Sequence, residues 1–218
     1  MNYFAHGRNY VDSPWFLAGT AVPDWLNVVD RKVRARKRMA LEYVDHEDAE
    51  LAQVAQGVVQ HHHDDDWFHR TAAFAELSWQ FTVEIRDLLG QDAGLRPSFL
   101  GHILVELLLD SVLSQQQPAQ LDAYYAALEK LDVDRVTSAV ETITGKGVER
   151  LTVLLPRFNA ERFLYDYADD ERLLFRLNGV MKRVGLAQLP NQLVPWFSDA
   201  RRRVAASEDN LLKPPPQS

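Results

Sequence analysis

Apolar residues recur at steps of three and four along most of the chain, and no run alternates apolar and polar residues. That spacing predicts packed helices and no sheet. Ser13-Pro14 marks a helix start, because a proline at the first helical position lacks only an N–H that has no partner there anyway; this short helix is expected to run toward Thr20. Pro23 is expected to open another short turn through Val29. Asp45 is a cap for a long helix reaching about Arg70, with Glu47 and Asp48 in the first turn, where the helix dipole favours acids. Thr71 caps a helix to Leu89, with Phe74, Leu77, Phe81, Ile85 and Leu88 on one face. After a loop at Gly90 to Arg96, Pro97 opens a helix ringed by Leu100, Ile103, Leu104, Leu107, Leu108 and Val112, which should be buried. Pro118 opens the next, with Leu121, Tyr124, Tyr125, Leu128 and Leu131 as its stripe. Gly145 and Gly147 break the chain before Val148, Leu151 and Leu154, and further helices are expected around 161–167, 171–184 and 192–206. Residues 1–212 are thus expected to form an all-α, single-domain multi-helix orthogonal bundle. The proline-rich tail, 213–218, is expected to be disordered.

Composition narrows this picture. Hydrophobic residues are 46% of the 218 and charged residues 25%, the balance of a globular chain. The formal net charge of -7 disfavours non-specific nucleic-acid binding, so no nucleic-acid partner is expected. There is no cysteine, which excludes disulfides, thiolate metal sites and cysteine nucleophiles, and fits a reducing, cytoplasmic setting. No basic segment followed by an apolar run opens the chain. The greasiest stretch, Ile103 to Leu109, is interrupted by Glu106, so no membrane span is expected. Arg31 to Arg38 holds six basic residues in eight. It is either a solvated surface segment or a docking patch for an acidic partner. The five tryptophans, with no basic residues interleaved, are expected in the core or in pocket walls. The many apolar helices leave room for a homodimer.

Two helices carry ionisable groups where core is expected. The stripe Leu51, Val54, Val58 continues by steps of three or four to His61, Asp65 and His69, while His62 and Asp66 fall on a neighbouring, solvated face. An inward carboxylate and imidazoles are costly unless paired, and a bound cation pairs them all. In the second helix, His102, Glu106 and Asp110 follow each other four residues apart on one side of an otherwise greasy segment. Imidazole and carboxylate at that spacing can meet one metal or two adjacent ones. The competing readings are a self-neutralising His/Asp surface helix and buried His/acid pairs that serve structure alone.

The same residues resemble the bacterial acyl carrier protein phosphodiesterase family, a branch of the HD-type metal phosphohydrolases. The resemblance rests on the opening Met1 to His6, on Leu17-Ala-Gly-Thr-Ala-Val-Pro-Asp24, on Gly57-Val-Val-Gln-His61 with Asp65, on His102 to Glu106, on Glu161 to Tyr167 and on Leu177 to Met181. The family carries His at Val59, Asp at His102 and His69, and an Asp-His pair at Glu106-Leu107. A helical zinc-dependent phospholipase C group has a similar layout. The resemblance implies an HD-domain-like fold and a phosphoester substrate, with acyl carrier protein, an acidic partner, among the candidates. It adds His6 and Asp24 to His61, Asp65, His102 and Glu106 as ligands of Mn²⁺, Fe²⁺ or Zn²⁺. All six are expected in one pocket. Such an ion polarises a phosphoryl oxygen and acidifies water. Asp65, His69 and Asp110 are the expected catalytic or orienting groups. The alternative is a helical binding or scaffold module that lost turnover together with ligands at Val59 and Leu107.

Overall fold

The computed structural model describes residues 1–90 and 95–214. Every regular element among them is helical, and none is a strand. In chain order the α-helices are α1 Tyr3–Gly7, α2 Pro14–Val29, α3 Lys37–Ala40, α4 Ala49–Phe68, α5 Ala72–Leu89, α6 Pro97–Gln116, α7 Pro118–Glu129, α8 Val133–Thr144, α9 Leu151–Glu161, α10 Asp170–Val184, α11 Val194–Ala206 and α12 Glu208–Leu211. Short 3-10 segments, Phe163–Ala168 and Asn191–Leu193, precede α10 and α11. Residues 91–94 of the expected loop and 215–218 of the expected tail lie outside the described residues.

The starts of α5, α6 and α7 fall where the capping signals place them. Thr71 Oγ1 accepts the Phe74 N–H, and Pro97 and Pro118 open their helices. Elsewhere the elements differ from expectation, and the helix expected around 161–167 is a 3-10 segment. Pro23 does not break α2, which runs through it to Val29. The proline forfeits only the helical bond to the Gly19 carbonyl, and the flanking Val22, Trp25 and Leu26 are buried. Asp48, not Asp45, caps α4: its Oδ1 accepts from the Glu50 and Leu51 amides. Helix α8 was not anticipated, although its signals are local. Asp132 Oδ1 accepts from the Asp134 and Arg135 amides, and Gly145 ends it at φ 64°, a conformation glycine adopts without strain.

The chain folds into two compact units. The first comprises 1–65 and 117–162. Its core holds Phe4, Leu17, Trp25, Val54, Val58, Tyr124, Tyr125 and Phe158, all buried. Trp25 and Tyr3 meet the Phe158 ring edge-on, at 5.7 and 5.1 Å between centroids. At about 25 cal/mol per Å² of apolar surface removed from water, each such side chain contributes roughly 1.5–3 kcal/mol before entropy is counted. The strip Arg31 to Arg38 is irregular up to α3, anchored by buried Val33 and Ala35, with its six basic residues exposed.

The second unit comprises 66–116 and 163–218. Helix α6 packs against α5, α11 and the 3-10 segment Phe163–Ala168. Gly101 lets α5 and α6 close up, since a Cβ there would collide with Thr82 Oγ1 and come within 2.9 Å of the Thr82 amide nitrogen. By length and composition α6 could cross a membrane, yet 67% of its apolar window is buried inside the protein, as befits a core helix. That burial is uneven: Leu107 to Ser114 are buried throughout, whereas His102, Ile103 and Glu106 reach the surface. Trp79 departs from the expected core placement and is 65% exposed on α5.

Candidate metal centres

The first centre begins with two glycines. Gly19 of α2 and Gly57 of α4 face each other at the helix crossing. A Cβ on Gly19 would lie 2.8 Å from the Gly57 Cα and collide with the Val54 carbonyl, and a Cβ on Gly57 would collide with the Phe16 carbonyl. With no side chain at either position, main chain meets main chain. This close approach brings His61, one turn beyond Gly57, against Thr20, the residue after Gly19. His61 Nδ1 lies 2.8 Å from the Thr20 carbonyl oxygen. A carbonyl only accepts, so Nδ1 carries the proton and Nε2 is left for another partner. That atom is 3.4 Å from Oδ2 of Asp65, one turn further along α4.

His6 reaches the same place from α1. Its ring stacks on His61 at 4.1 Å between centroids, with 26° between planes. His6 Nδ1 is 3.3 Å from Asp64 Oδ2, and the other Asp64 oxygen accepts from Gln60 Nε2 at 2.7 Å. His6 Nε2 is fully buried, makes no hydrogen bond and lies 3.3 Å from Asp65 Oδ1. One donor atom each from His6, His61 and Asp65 therefore falls within 4.8 Å of the others. Both imidazoles have Nδ1 held by an oxygen and Nε2 turned to a shared carboxylate, which is how metal-binding histidines are oriented. Two nitrogens and an oxygen suit a divalent transition metal, and the buried, unbonded His6 Nε2 fits a ligand in search of one.

Charge in this centre is concentrated. Burial opposes ionisation of Asp65, but the close His6 and His61 imidazoles and the positive Met1 amine, 2.6 Å from Oδ1, hold its carboxyl far below the usual range. Burial also opposes a charge on His61, yet Asp65 and the Asp24 carboxylate outweigh it and raise its proton affinity. Asp24, expected as a ligand, stands one turn after Thr20 on α2 and acts on His61 through its charge. His62, expected in solvent, is half-buried with Nε2 2.7 Å from the Ala35 carbonyl oxygen. Asp66 is exposed and pairs with Arg70 at 2.6 Å. Asp64, Gln60 and the Thr20 carbonyl were missed in the sequence. Asp64 adjoins Asp65, and the apolar stripe that points to Asp65 gives no sign that its neighbour is buried as well.

The second centre lies wholly within the other unit. His102 and Glu106 are one turn apart on α6, and His69 stands just past the end of α4. Glu106 Oε1 is 2.8 Å from His69 Nε2 and 3.3 Å from His102 Nε2. Donor atoms from the three lie within 4.8 Å of one another. Burial disfavours ionised Glu106, but nearby positive charge outweighs it, and bonds from His102 and His69 lower its carboxyl further, well below the usual range. Asp110, one turn on from Glu106, is fully buried. Among the described residues, donor atoms gather in two sets, His6, His61 and Asp65 in the first unit, and His69, His102 and Glu106 in the second; Asp24 belongs to neither set.

No family model matches the chain, and no curated protein or solved structure matches it.

Proposed function

We propose that the chain is a metal-dependent phosphoester hydrolase whose ion is held by His6, His61 and Asp65. The observation that carries this reading is the paired orientation of the imidazoles: each has Nδ1 tied to a fixed oxygen and presents Nε2 to Asp65. A divalent ion in this set, Mn²⁺, Fe²⁺ or Zn²⁺, polarises a phosphoryl oxygen and lowers the pKa of water toward neutrality. The residues do the rest. Asp64 and the Thr20 carbonyl fix the ring tautomers, Gln60 fixes Asp64, and Asp24 supplies negative charge beside His61. With water as the nucleophile, no Ser or Cys is needed, in keeping with a chain that has no cysteine.

The order of short motifs from Met1 to Met181 supports a kinship with acyl carrier protein phosphodiesterases and with HD-type sites. An acidic carrier or another anionic ester would dock on Arg31 to Arg38. That strip is exposed, and the His62 bond to Ala35 ties it to the helix that carries His61. A second reading, a binding module without turnover, draws on Leu107, a buried apolar residue where the resembled family carries a ligand-competent His.

Chelator-stripped protein reloaded with each of the three ions separates these readings, assayed on bis-p-nitrophenyl phosphate. The hydrolase reading expects metal-dependent turnover, lost in Asp65→Ala together with the ion of this centre. Ion uptake without turnover on any ester favours the module. Wild-type protein that takes up none of the three ions ends the hydrolase reading.

A further inference from the structure

We propose that residues 31–41 dock on an anionic lipid bilayer, with the basic strip on headgroup phosphates and Leu41 at the headgroup–acyl boundary. The inference goes beyond the hydrolase reading and holds whether or not the chain turns over an ester.

Three features carry it, all within the first unit. The first is charge left uncompensated. The six basic residues of the strip are exposed, and among the described residues no carboxylate pairs with Lys32, Arg34, Arg36, Lys37 or Arg38. Other arginines of this unit are neutralised at contact distance, Arg135 by Glu50 at 2.8 Å and Arg162 by Asp122 at 2.7 Å. Like charges left side by side repel, and a dense array of phosphates relieves that repulsion. The second is presentation. Val33 and Ala35 are buried while Arg34 and Arg36 are exposed, so successive side chains alternate between the protein and solvent. The Ala35 carbonyl accepts from His62 Nε2 at 2.7 Å, which ties the strip to α4. The cations thus project from an anchored segment. The third is an apolar group beside the charge. Leu41 is 50% exposed, although Ala40 before it is fully buried. The Leu41 amide donates to the Lys37 carbonyl at 2.9 Å and its backbone is still helical, so Leu41 stands on the side of α3 that carries Lys37 and Arg38.

Cations beside an exposed leucine are what an interfacial segment uses: charge brings it to the headgroups, and apolar burial holds it there. The competing occupant is an acidic protein. Charge alone would serve either, but Leu41 favours the bilayer. A protein must offer a fitted apolar pocket to cover that side chain, whereas a bilayer accepts it without one. Exposed acids follow from Glu42 onward, which confines the contact to the strip and Leu41.

Flotation of the full-length protein with vesicles of equimolar phosphatidylglycerol and phosphatidylcholine, against phosphatidylcholine alone, tests this. Binding is expected to the anionic vesicles only, and to fade above about 0.5 M salt, where the charges are screened. At roughly 5-fold per cation, Arg34→Gln with Arg36→Gln should weaken it about 25-fold. Leu41→Ser should weaken it about 5-fold. All three positions are exposed, so the fold should survive, which circular dichroism checks. Equal binding to both kinds of vesicle, or to neither, overturns the proposal. So does anionic-vesicle binding that Leu41→Ser leaves unchanged, since charge alone would then explain it. A strip that captures soluble polyglutamate at about 0.15 M salt but not the vesicles belongs to an acidic protein, and also overturns it. Vesicle binding in a metal-loaded protein without phosphoester turnover would sink the hydrolase reading and leave this surface standing.

Discussion

His6 and His61 present the same atom to Asp65 but are steadied differently, one by the Asp64 carboxylate and the other by the Thr20 carbonyl. The carboxylate adds charge as well as direction, since it strengthens the imidazole it holds as a metal ligand. Asp64→Asn keeps the shape and removes the charge, and is expected to weaken metal binding about 10–100-fold with the fold intact. Competition against a calibrated chelator measures this, and an unchanged affinity would show that Asp64 does not steady His6. Sequence reasoning reached His61 and Asp65 because both continue an apolar stripe, where an ionisable group stands out against its neighbours. It reached His6 only through the resemblance of the opening segment. The Thr20 carbonyl was out of reach altogether: a main-chain acceptor 41 residues from its donor leaves no trace in residue identity.

Among the helices, the crossing of α2 and α4 is the most exacting. Gly57→Ala would drive a methyl group into the Phe16 carbonyl and to 2.7 Å from the Gly19 Cα, neither of which can swing aside as a side-chain tip would. A cost of about 1–3 kcal/mol in denaturant-induced unfolding is expected, together with weaker ion binding as His61 is levered off Thr20. Equal stability of Gly57→Ala and wild type would mean that the helices are not pressed together there. The crossing was invisible beforehand, because a glycine inside a helical pattern reads the same whether it serves close approach or nothing. Caps were more legible. Thr71, Pro97 and Pro118 act on residues within one turn, so their meaning is local. Where two acids compete for one start, as Asp45 and Asp48 do, the pattern does not choose between them. Pro23 misled for a related reason: burial of its neighbours holds α2 together across a missing hydrogen bond.

Each unit is assembled from two stretches of chain that are distant in sequence, and in the second unit an ion pair joins them. Glu84 of α5 receives both terminal nitrogens of Arg203 from α11, at 2.6 and 2.7 Å, and also accepts the Trp196 indole N–H at 2.7 Å. The Arg203 bond and the indole bond lower the Glu84 carboxyl against a smaller opposing effect of burial, and the Glu84 bond raises the Arg203 guanidinium. A carboxyl depressed on folding stabilises the protein above its ordinary value, near 4.3. That contribution fades as pH falls through the folded value, below the ordinary one. The melting temperature should therefore drop on acidification below about pH 4, and less steeply in Glu84→Gln, which starts lower; identical slopes would show that the pair is idle. The all-α class was readable from periodicity alone, whereas the partition into units was not, because it depends on which helices return to which. The chain passes between the units three times, after residues 65, 116 and 162. A gene fragment ending at residue 162 would encode the first unit complete but only one of the two stretches that make the second. No continuous fragment spells the second unit without carrying part of the first, so recombination at a single crossover cannot hand one whole unit to another protein and leave the other whole behind.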